Sequence, residues 1–469
     1  MINLRCLAGL LLALVSPSLH ASTAYVGATL IDGTGKKLVE QGTVVVAGER
    51  IIYAGPEVDA PEASNIVDVH GKFIMAGLID THIHFMESAR IHMDYTMQAL
   101  DGDLTEADDI AWMQSRMPYT LSRYTCSGVT TVVSLGGPVH IEFGAREMAR
   151  EQPNAPRVLN AGGPIGNSGF EWIFDGEPAM YAADTAEEIT ALVQDFHGRG
   201  AEAIKLGFLG EAMGVETGVT PTDYVPVMRA AADAAHALDM PVLTHVMAAH
   251  EFEAIVDSGL DAFAHVAFDK PVNDAAIQKV VERGIKVAPT IAVFPRMLEV
   301  FDRSLVLSEI EQQCADPEVL TTYFDYPEES LLNRIRFQLA AWVYSFALGD
   351  AQSAITDSVQ RLDAAGAEFI IGSDAAHVGT PHGVAMHVEM QMLEDAGLSP
   401  ATLIRAATRN AAELLGMLDE LGTLEVGKQA DFLVLDRNPL ETIRNVQYIN
   451  LVVKSGRAIE QSTLRVNQE

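Results

Sequence analysis

The sequence is short of basic residues, of cysteine and of long apolar segments, and each shortage excludes a class of protein. Lysine and arginine number 31 against 64 acidic residues, a formal charge of −33, whereas a nucleic-acid-binding surface needs a basic patch. Three cysteines in 469 residues are too few for a disulfide framework. Beyond the first 21 residues, no segment is apolar for long enough to cross a membrane. We therefore expect a folded acidic protein with no nucleic-acid partner and no membrane span in its mature form.

The first 21 residues resemble a secretory signal peptide. Arg5 supplies a positive charge, residues 6–15 are apolar, and residues 18–21 offer small side chains for cleavage. A buried N-terminal helix or strand is the alternative. We expect cleavage near Ala21 and export to the periplasm or the medium. In the mature chain, buried free thiols are the first expectation for Cys126 and Cys314, and a disulfide between them stays open.

Short β-rich segments lie at both ends of the chain. Residues 22–75 alternate apolar runs with glycine-containing turns, and residues 418–469 hold further strand patterns. We predict that the two ends form one small β-sandwich domain. Residues 76–417 would then be a second domain inserted between its two parts.

The central segment alternates strand and helix patterns, which is typical of βα units with parallel strands. Eight such units favour an α/β protein with a (β/α)8 TIM-type barrel, whose active site lies at the C-terminal ends of the strands. A doubly wound open sheet is the alternative. The first strand is not followed by Gly-x-Gly-x-x-Gly, so no dinucleotide site is expected. The predicted strands are residues 77–85, 130–136, 157–163, 203–208, 241–246, 262–266, 286–294 and 369–375.

Helical patterns separate most of these strands, at residues 186–197, 225–238, 251–258 and 275–283. Residues 295–365, before the last strand, are longer than one crossover helix requires. Within them, residues 298–313 and 331–348 are predicted helices. Two interpretations stay open: a helical excursion packed on the barrel, or a lid that shapes substrate choice.

Metal-ligating side chains lie where the predicted strands end. His82 and His84 are two residues apart, and side chains at this spacing in a strand point to the same side. His245, His265 and Asp374 lie at the ends of the fifth, sixth and eighth strands. Convergent imidazoles and carboxylates suit a borderline-soft cation such as zinc. Each residue has a structural alternative, such as a core histidine or a helix N-cap, but their joint placement favours a metal site.

Lys205 lies among apolar residues in the fourth predicted strand. A buried ammonium group is costly unless it has a special role. We therefore count this lysine as the sixth candidate site residue.

These motifs resemble the amidohydrolase superfamily, in the branch of imidazolonepropionase and the Xaa-Pro or Xaa-Arg dipeptidases. The resemblance covers nearly the whole mature chain. It is carried by AGLIDTHIH at residues 76–84, GVTTV at 128–132, GAEFIIGSD at 366–374 and GTLEVGKQAD at 422–431.

The resemblance implies a binuclear site for two divalent metal ions, with zinc as the expected metal. His82, His84 and Asp374 would bind the more buried ion, and His245 and His265 the other. Lys205 would bridge both as a carboxylated lysine, an anionic form that removes the cost of a buried ammonium.

The implied chemistry is hydrolysis of an amide C–N bond by a metal-bridged hydroxide. Asp374 would accept the hydroxide proton and deliver it to the leaving nitrogen. His265 would help to orient or polarise the carbonyl. The expected partner is a small-molecule substrate, first of all a dipeptide or an N-acyl amino acid.

Two departures from the family pattern weaken the peptide prediction. Val133-Ser134-Leu135 stands where many relatives have Arg-Asp, and residues 206–211 lack the Gly-rich Ser/Thr loop common in dipeptidases. Tyr224 is a candidate for binding a substrate carboxylate, with local packing as the alternative. Hydrolysis of a cyclic amide, an ester or a xenobiotic amide stays open, as does a non-catalytic exported binding protein. A homo-oligomer also stays open, since barrels of this kind often associate.

Three further histidines are predicted in strand-end loops. We interpret them as residues that hydrogen-bond within their loops. They are His140, His377 and His382.

Overall fold

The computed structural model is an α/β protein, and it describes residues 21–33, 38–169, 171–174, 176–208 and 218–466. The predicted signal peptide therefore lies outside the described residues, apart from Ala21. So do residues 209–211 of the departing loop. Among the described residues, no helix combines the length and the apolar character that crossing a membrane requires.

The strands are numbered along the chain. They are Ser22–Ile31 (β1), Val39–Ala47 (β2), Arg50–Pro56 (β3), Asn65–Asp68 (β4), Phe73–Ala76 (β5), Leu78–Ile83 (β6), Val129–Ser134 (β7), Arg157–Asn160 (β8), Ile165–Gly166 (β9), Trp172–Phe174 (β10), Glu177–Ala182 (β11), Ile204–Leu206 (β12), Val242–His245 (β13), Ala262–Ala264 (β14), Lys286–Ala288 (β15), Phe432–Leu435 (β16), Ile449–Lys454 (β17) and Arg457–Glu460 (β18).

The α-helices are numbered in the same way. They are Tyr95–Leu100 (α1), Glu106–Cys126 (α2), Val139–Glu151 (α3), Ala186–Gly198 (α4), Pro221–His236 (α5), Ala249–Ile255 (α6), Asp274–Arg283 (α7), Val293–Phe301 (α8), Glu309–Cys314 (α9), Pro317–Phe324 (α10), Tyr326–Glu329 (α11), Leu331–Leu348 (α12), Ala351–Ala365 (α13), Ala385–Asp395 (α14), Pro400–Arg405 (α15) and Ala411–Leu414 (α16).

Strands from both ends of the chain form one sheet, in the order β18-β17-β16-β5-β1-β2-β3, with β4 paired to β1. The junction is β5, which is parallel to β1 and antiparallel to β16. The structure thus brings the two ends together, as expected for a domain split by an insertion. It shows one hydrogen-bonded sheet, and the two-layer sandwich stays a prediction.

The parallel strands of the central segment fall into two sheets. One has the order β6-β7-β8, and the other runs from β9 through β12, β13 and β14 to β15, with β11 and β10 beyond β9. The third predicted strand, residues 157–163, is too long, because β8 ends at Asn160 and β9 begins only at Ile165. Between them Gly162 has a φ of +74° and Pro164 has no N–H to donate. The described strands therefore do not pair into the closed ring that the predicted barrel requires.

The eighth predicted strand, residues 369–375, is a bridging segment rather than a continuous strand. Single bridges join Phe369 to Val287 of β15 and Ala375 to Ile83 of β6. The extended conformation ends at Asp374, whose φ is +51°. The segment therefore connects the two parallel sheets at the end where the predicted ligands lie.

Side chains along these strands alternate between two apolar clusters, as the two-residue period of a strand requires. Val242, Phe263 and Val287 belong to the large cluster that includes the surrounding helices. Leu243 and Ala262 belong to a smaller inner cluster. The ligand-bearing ends of the strands lie above this inner cluster.

The helix predictions have mixed outcomes in the excursion before the last strand. The helix predicted at residues 331–348 is confirmed with the same bounds as α12. A single helix over residues 298–313 is wrong, because α8 and α9 are separated by a turn in which Arg303 has a φ of +66°. The seventh predicted strand was also too long, since β15 stops before Pro289 and residues 293–301 are helical.

Cys126 at the end of α2 and Cys314 at the end of α9 form a disulfide, with their Cα atoms 5.6 Å apart. The prediction of two free thiols is therefore wrong. The cysteines are separated by 188 positions, and only tertiary packing brings α9 against the end of α2. The disulfide attaches the helical excursion to a helix that precedes β7.

Candidate metal centre

His82, His84 and Asp374 lie together where β6 meets the bridging segment. The Nε2 atoms of the two histidines are 3.1 Å apart. Oδ1 of Asp374 lies 3.1 Å from His82 Nε2 and 3.3 Å from His84 Nε2. The ligand atoms of these residues all lie within 4.8 Å of one another, close enough to hold one metal ion.

Lys205 points into the same site from β12. Its neighbours Ile204 and Leu206 pack in the large cluster, so the alternation of a strand turns the lysine to the inner side. Its Nζ lies 3.3 Å from His82 Nε2, and the residue is 3% exposed. Burial lowers the pKa of Lys205 to about 7, which makes the neutral amine accessible near neutral pH.

His245 and His265 complete the group from the ends of β13 and β14. Their ring centroids are 4.6 Å apart, and the His265 ring lies 5.0 Å from the His82 ring. The structure thus brings all six predicted residues to one place.

Unsatisfied polar atoms in this group fit metal ligation. His245 Nε2 is buried and lacks a hydrogen-bond partner among the described residues, and the contacts of Asp374 Oδ1 with the two imidazoles do not have hydrogen-bond geometry. Buried polar atoms are normally paired, and imidazole with carboxylate is a donor set that zinc accepts. The residues present therefore suit a divalent metal ion.

Neighbouring groups orient two of the imidazoles. The carbonyl of Gly136 accepts a hydrogen bond of 2.8 Å from His84 Nδ1, and Thr290 Oγ1 bonds His265 Nδ1. These contacts leave the Nε2 atoms of both rings available as ligands, as supporting partners of metal-bound histidine usually do. Sequence reasoning missed both partners, because a backbone carbonyl and a loop threonine carry no recognisable pattern.

Three residues at this site have a strained backbone. His265, Thr290 and Asp374 have φ values of +80°, +50° and +51°. Residues other than glycine rarely adopt this left-handed backbone conformation. Each such residue costs on the order of 1–3 kcal/mol and persists where its surroundings fix it, often at functional sites. The strain supports a functional role for these strand ends.

Asp374 also contacts a second, partly buried network. His377 Nε2 lies 3.6 Å from Asp374 Oδ2, and His377 Nδ1 lies 3.1 Å from Glu87 Oε2. Burial opposes protonation of His377, but the two carboxylates raise its pKa well above the usual value. The structure thus places His377 against the candidate ligands, which its interpretation as a loop residue did not anticipate.

The other two loop histidines, His140 and His382, do not contact the candidate metal ligands. His382 is buried, bonds Tyr124 Oη and contacts the carbonyl of Glu87, so it supports the Glu87 loop. His140 pairs with Glu177 at the surface.

Tyr224 is 2% exposed and donates a 2.8 Å hydrogen bond to the carbonyl of Ala183, away from the candidate ligands. Its position favours local packing over contact with a substrate.

A cavity of about 360 Å³ opens over the candidate ligands. Its remaining wall is largely apolar and rich in methionine. Sequence reasoning missed this wall because its residues come from widely separated segments. They are Met86, Pro164, Met180, Met247, Phe268, Val293, Phe294 and Met297.

Comparisons with known proteins agree with this arrangement. The model of the Amidohydrolase family matches residues 73–459. An imidazolonepropionase of Agrobacterium fabrum is 26% identical over 436 residues, covering 89% of this chain and 89% of that protein. An ochratoxinase of Aspergillus niger is 24% identical over 443 residues, covering 89% of this chain and 82% of that protein. The solved structure of a Xaa-Pro dipeptidase, 21% identical, has a TM-score of 0.71 and covers 94% of this chain and 100% of its own.

Proposed function

The chain belongs to the amidohydrolase family, and we propose that it is a binuclear metal-dependent hydrolase of amide C–N bonds. The convergence of Lys205 with four histidines and Asp374 on one buried point carries this proposal. We interpret the two parallel sheets and their bridging segment as the (β/α)8 barrel of the family. The sheet shared by the chain ends would be its small β-sandwich.

The six residues divide into two sets of ligands. His82, His84 and Asp374 would hold one ion, His245 and His265 the other, and a carboxylated Lys205 would contact both. When bound, a pair of divalent cations would lower the pKa of a water between them and polarise an amide carbonyl. The lowered pKa of Lys205 supports the carboxylated form, because only a neutral amine reacts with carbon dioxide.

Asp374 is the proposed proton carrier. Its carboxylate faces the candidate ligands through Oδ1 and His377 through Oδ2. It would take the proton of the attacking water and return it to the nitrogen that leaves. The contact with His377, itself held by Glu87, fixes the orientation of this carboxylate during the transfer.

We infer that the substrate places an apolar group in the cavity. Methionine and phenylalanine make most of its apolar wall, and flexible methionine side chains adapt to varied apolar shapes. Among the described residues of the cavity wall there is no arginine, and the only lysine is Lys205. Residues 209–217 contain no basic residue either. His377 is the remaining cationic candidate in this wall, and Glu87 and Asp374 already pair with it. A free α-carboxylate would therefore compete with these two carboxylates, so an N-acyl or xenobiotic amide is favoured over a dipeptide.

Amide hydrolysis after loading with zinc and bicarbonate tests the function. The substrates are apolar N-acyl anilides, N-acyl amino acids, and Xaa-Pro and Xaa-Arg dipeptides. We expect the anilides to be cleaved best and a chelator to abolish the activity. Inactivity toward every amide would contradict the function, whereas a preference for Xaa-Arg dipeptides would contradict only the apolar substrate.

A pair of matched variants tests the role of the cavity wall. Met180→Glu places a charge beside the substrate, and we expect kcat/KM for the anilides to fall about tenfold or more. Met148→Glu makes the same change on α3, where the side chain is exposed, and should leave kcat/KM unchanged. Equal effects of both variants would contradict the proposal that the cavity wall at Met180 contacts the substrate.

The localisation proposal is export after cleavage near Ala21. The disulfide between Cys126 and Cys314 supports it, because disulfides persist mainly in oxidising compartments.

A further inference from the structure

The outer face of α12 presents a row of large apolar side chains to solvent, called here the α12 stripe. Trp342 is 67% exposed and Phe346 is 81% exposed. A contiguous apolar patch of this size is unusual on a soluble monomer and marks an interaction surface. The stripe consists of Leu331, Leu332, Ile335, Leu339, Trp342, Val343 and Phe346.

The opposite face of α12 is firmly held. Phe337 is fully buried, and its ring and that of Tyr344 both lie 5.4 Å from the ring of Phe301 in α8. Arg336 bonds Asp101 at 2.7 Å, and Tyr344 Oη donates to Asp94. The fold therefore fixes the helix with the stripe outward.

The spacing along the stripe is that of a coiled-coil seam. The steps from Leu332 to Ile335, Leu339, Trp342 and Phe346 are three, four, three and four residues. This heptad pattern keeps apolar side chains facing a second helix over two successive repeats. The exposure of these side chains shows that no described element of the chain supplies that helix.

We propose that the α12 stripe is the contact between two copies of this chain, paired antiparallel about a two-fold axis. An axis between residues 340 and 341 would set Ile335 against Phe346 and Leu339 against Trp342 of the second copy. The apolar surface of the seven side chains is of the order of the ~800 Å² that each partner contributes to a standard interface.

The helix dipole also favours the antiparallel orientation. Antiparallel pairing sets the positive N-terminal end of each α12 beside the negative C-terminal end of the other, which Asp350 follows. A parallel pair would instead place like ends together.

A second copy fits the stripe better than a membrane surface does. Helices that lie on membranes carry lysine and arginine around their apolar face to bind anionic lipids. This chain has a formal charge of −33, and Arg334 and Arg336 of α12 are already paired with Glu328 and Asp101. The stripe is self-complementary, as a two-fold contact requires.

Sedimentation velocity of the full mature chain tests this contact. We expect the wild type to sediment as a dimer or a multiple of it. Leu339→Glu combined with Trp342→Glu should halve the mass of the particle. Val58→Glu is the matched control, at an apolar position that is 89% exposed and far from α12 in the sequence. It should not change the mass of the particle. Circular dichroism checks that each variant is folded.

A charge exchange tests the orientation. Ile335→Glu should weaken the dimer, and adding Phe346→Lys should restore it, because antiparallel pairing sets residue 335 of each copy against residue 346 of the other. A monomeric wild type, or a dimer that survives Leu339→Glu with Trp342→Glu, would overturn the proposal. Failure of the exchange to restore the dimer would overturn the antiparallel arrangement. Binding of a monomeric wild type to phosphatidylcholine vesicles would assign the stripe to a membrane instead.

Discussion

Lys205 shows at the residue scale how the proposed chemistry arises from burial. Its neighbours in β12 pack outward, which turns its amine inward against His82. An ammonium there would face four imidazoles and only one nearby carboxylate, and burial lowers its pKa to about 7. In the proposed site, a carboxylated lysine would replace that costly cation with an anion that two metal ions could share.

Gly372 makes the approach of Asp374 to His82 feasible. A Cβ added at residue 372 would lie 2.6 Å from the Cβ of His82 and 3.3 Å from that of Ala288. Both neighbours are fixed to the backbone, so Gly372→Ala must displace them, at a cost of about 1–3 kcal/mol. We expect fewer bound metal ions per chain and lower activity, measured by elemental analysis and amide hydrolysis.

The matched control for this variant is Gly144→Ala in α3. A Cβ there would meet nothing within 4 Å, so metal content and activity should stay at wild-type values. Full metal content in Gly372→Ala would contradict the proposal that the close approach of residue 372 to His82 positions the metal ligands.

The residues of the candidate site could be predicted to different degrees. His82 and His84 follow from the two-residue period of a strand, and Lys205 from its apolar neighbours. Glu87 and His377 lie in loops, where the position of a side chain depends on tertiary packing. The methionine wall of the cavity could not be predicted, because methionine is an ordinary core residue.

At the scale of elements, α14 supports the start of α8 through a buried carboxyl group. Glu389 accepts hydrogen bonds of 3.0 Å and 2.9 Å from the backbone N–H groups of Ile291 and Ala292. Val293 and Phe294, at the start of α8, line the cavity. One side chain of α14 thus fixes the wall of the candidate site.

This carboxyl group should make stability depend on pH. Burial raises the pKa of Glu389 to about 8, whereas in an unfolded chain the value is about 4.3. Between these values the folded state keeps a proton that the unfolded state loses, so this group makes stability fall as pH rises. We expect Glu389→Gln to show a shallower fall of Tm from about pH 5 to about pH 8.

The control for this prediction is Glu282→Gln, at an exposed position of α7. Its Tm should follow the wild-type dependence on pH. Equal slopes for wild type and Glu389→Gln would show that Glu389 does not carry the effect.

Elements with strong local signals were predicted well, but several of their ends were not. The periodic apolar residues of α12 predicted both of its ends. The exposure of its outer face could not be predicted from the local sequence. The strand predicted at residues 286–294 ends early at Pro289, and the one at 369–375 is reduced to two bridges by the turn at Asp374. Such ends are set by contacts with distant segments.

At the scale of the whole molecule, the disulfide joins the helical excursion to the central domain. It links residues 188 positions apart, and losing a native disulfide typically costs about 2–5 kcal/mol. We expect a reductant to lower the Tm of the purified chain. The double variant Cys126→Ser with Cys314→Ser should have a Tm as low as that of the reduced wild type and should not respond to the reductant. An unchanged wild-type Tm after complete reduction would contradict this account.

The organisation of the whole chain was largely predictable, because strand patterns at both ends and alternating units between them are visible in the sequence. The pairing of Cys126 with Cys314 was not, since it depends on where the excursion packs.

The content of divalent metal per chain tests the central claim most directly. Elemental analysis of the wild type, reconstituted with zinc and bicarbonate, should find two ions per chain. Lys205→Ala should lose at least one of them together with the activity, whereas Lys270→Ala, at an exposed position, should keep both. Fewer than one ion per chain in the wild type, or full metal content and activity in Lys205→Ala, would contradict the proposed binuclear site.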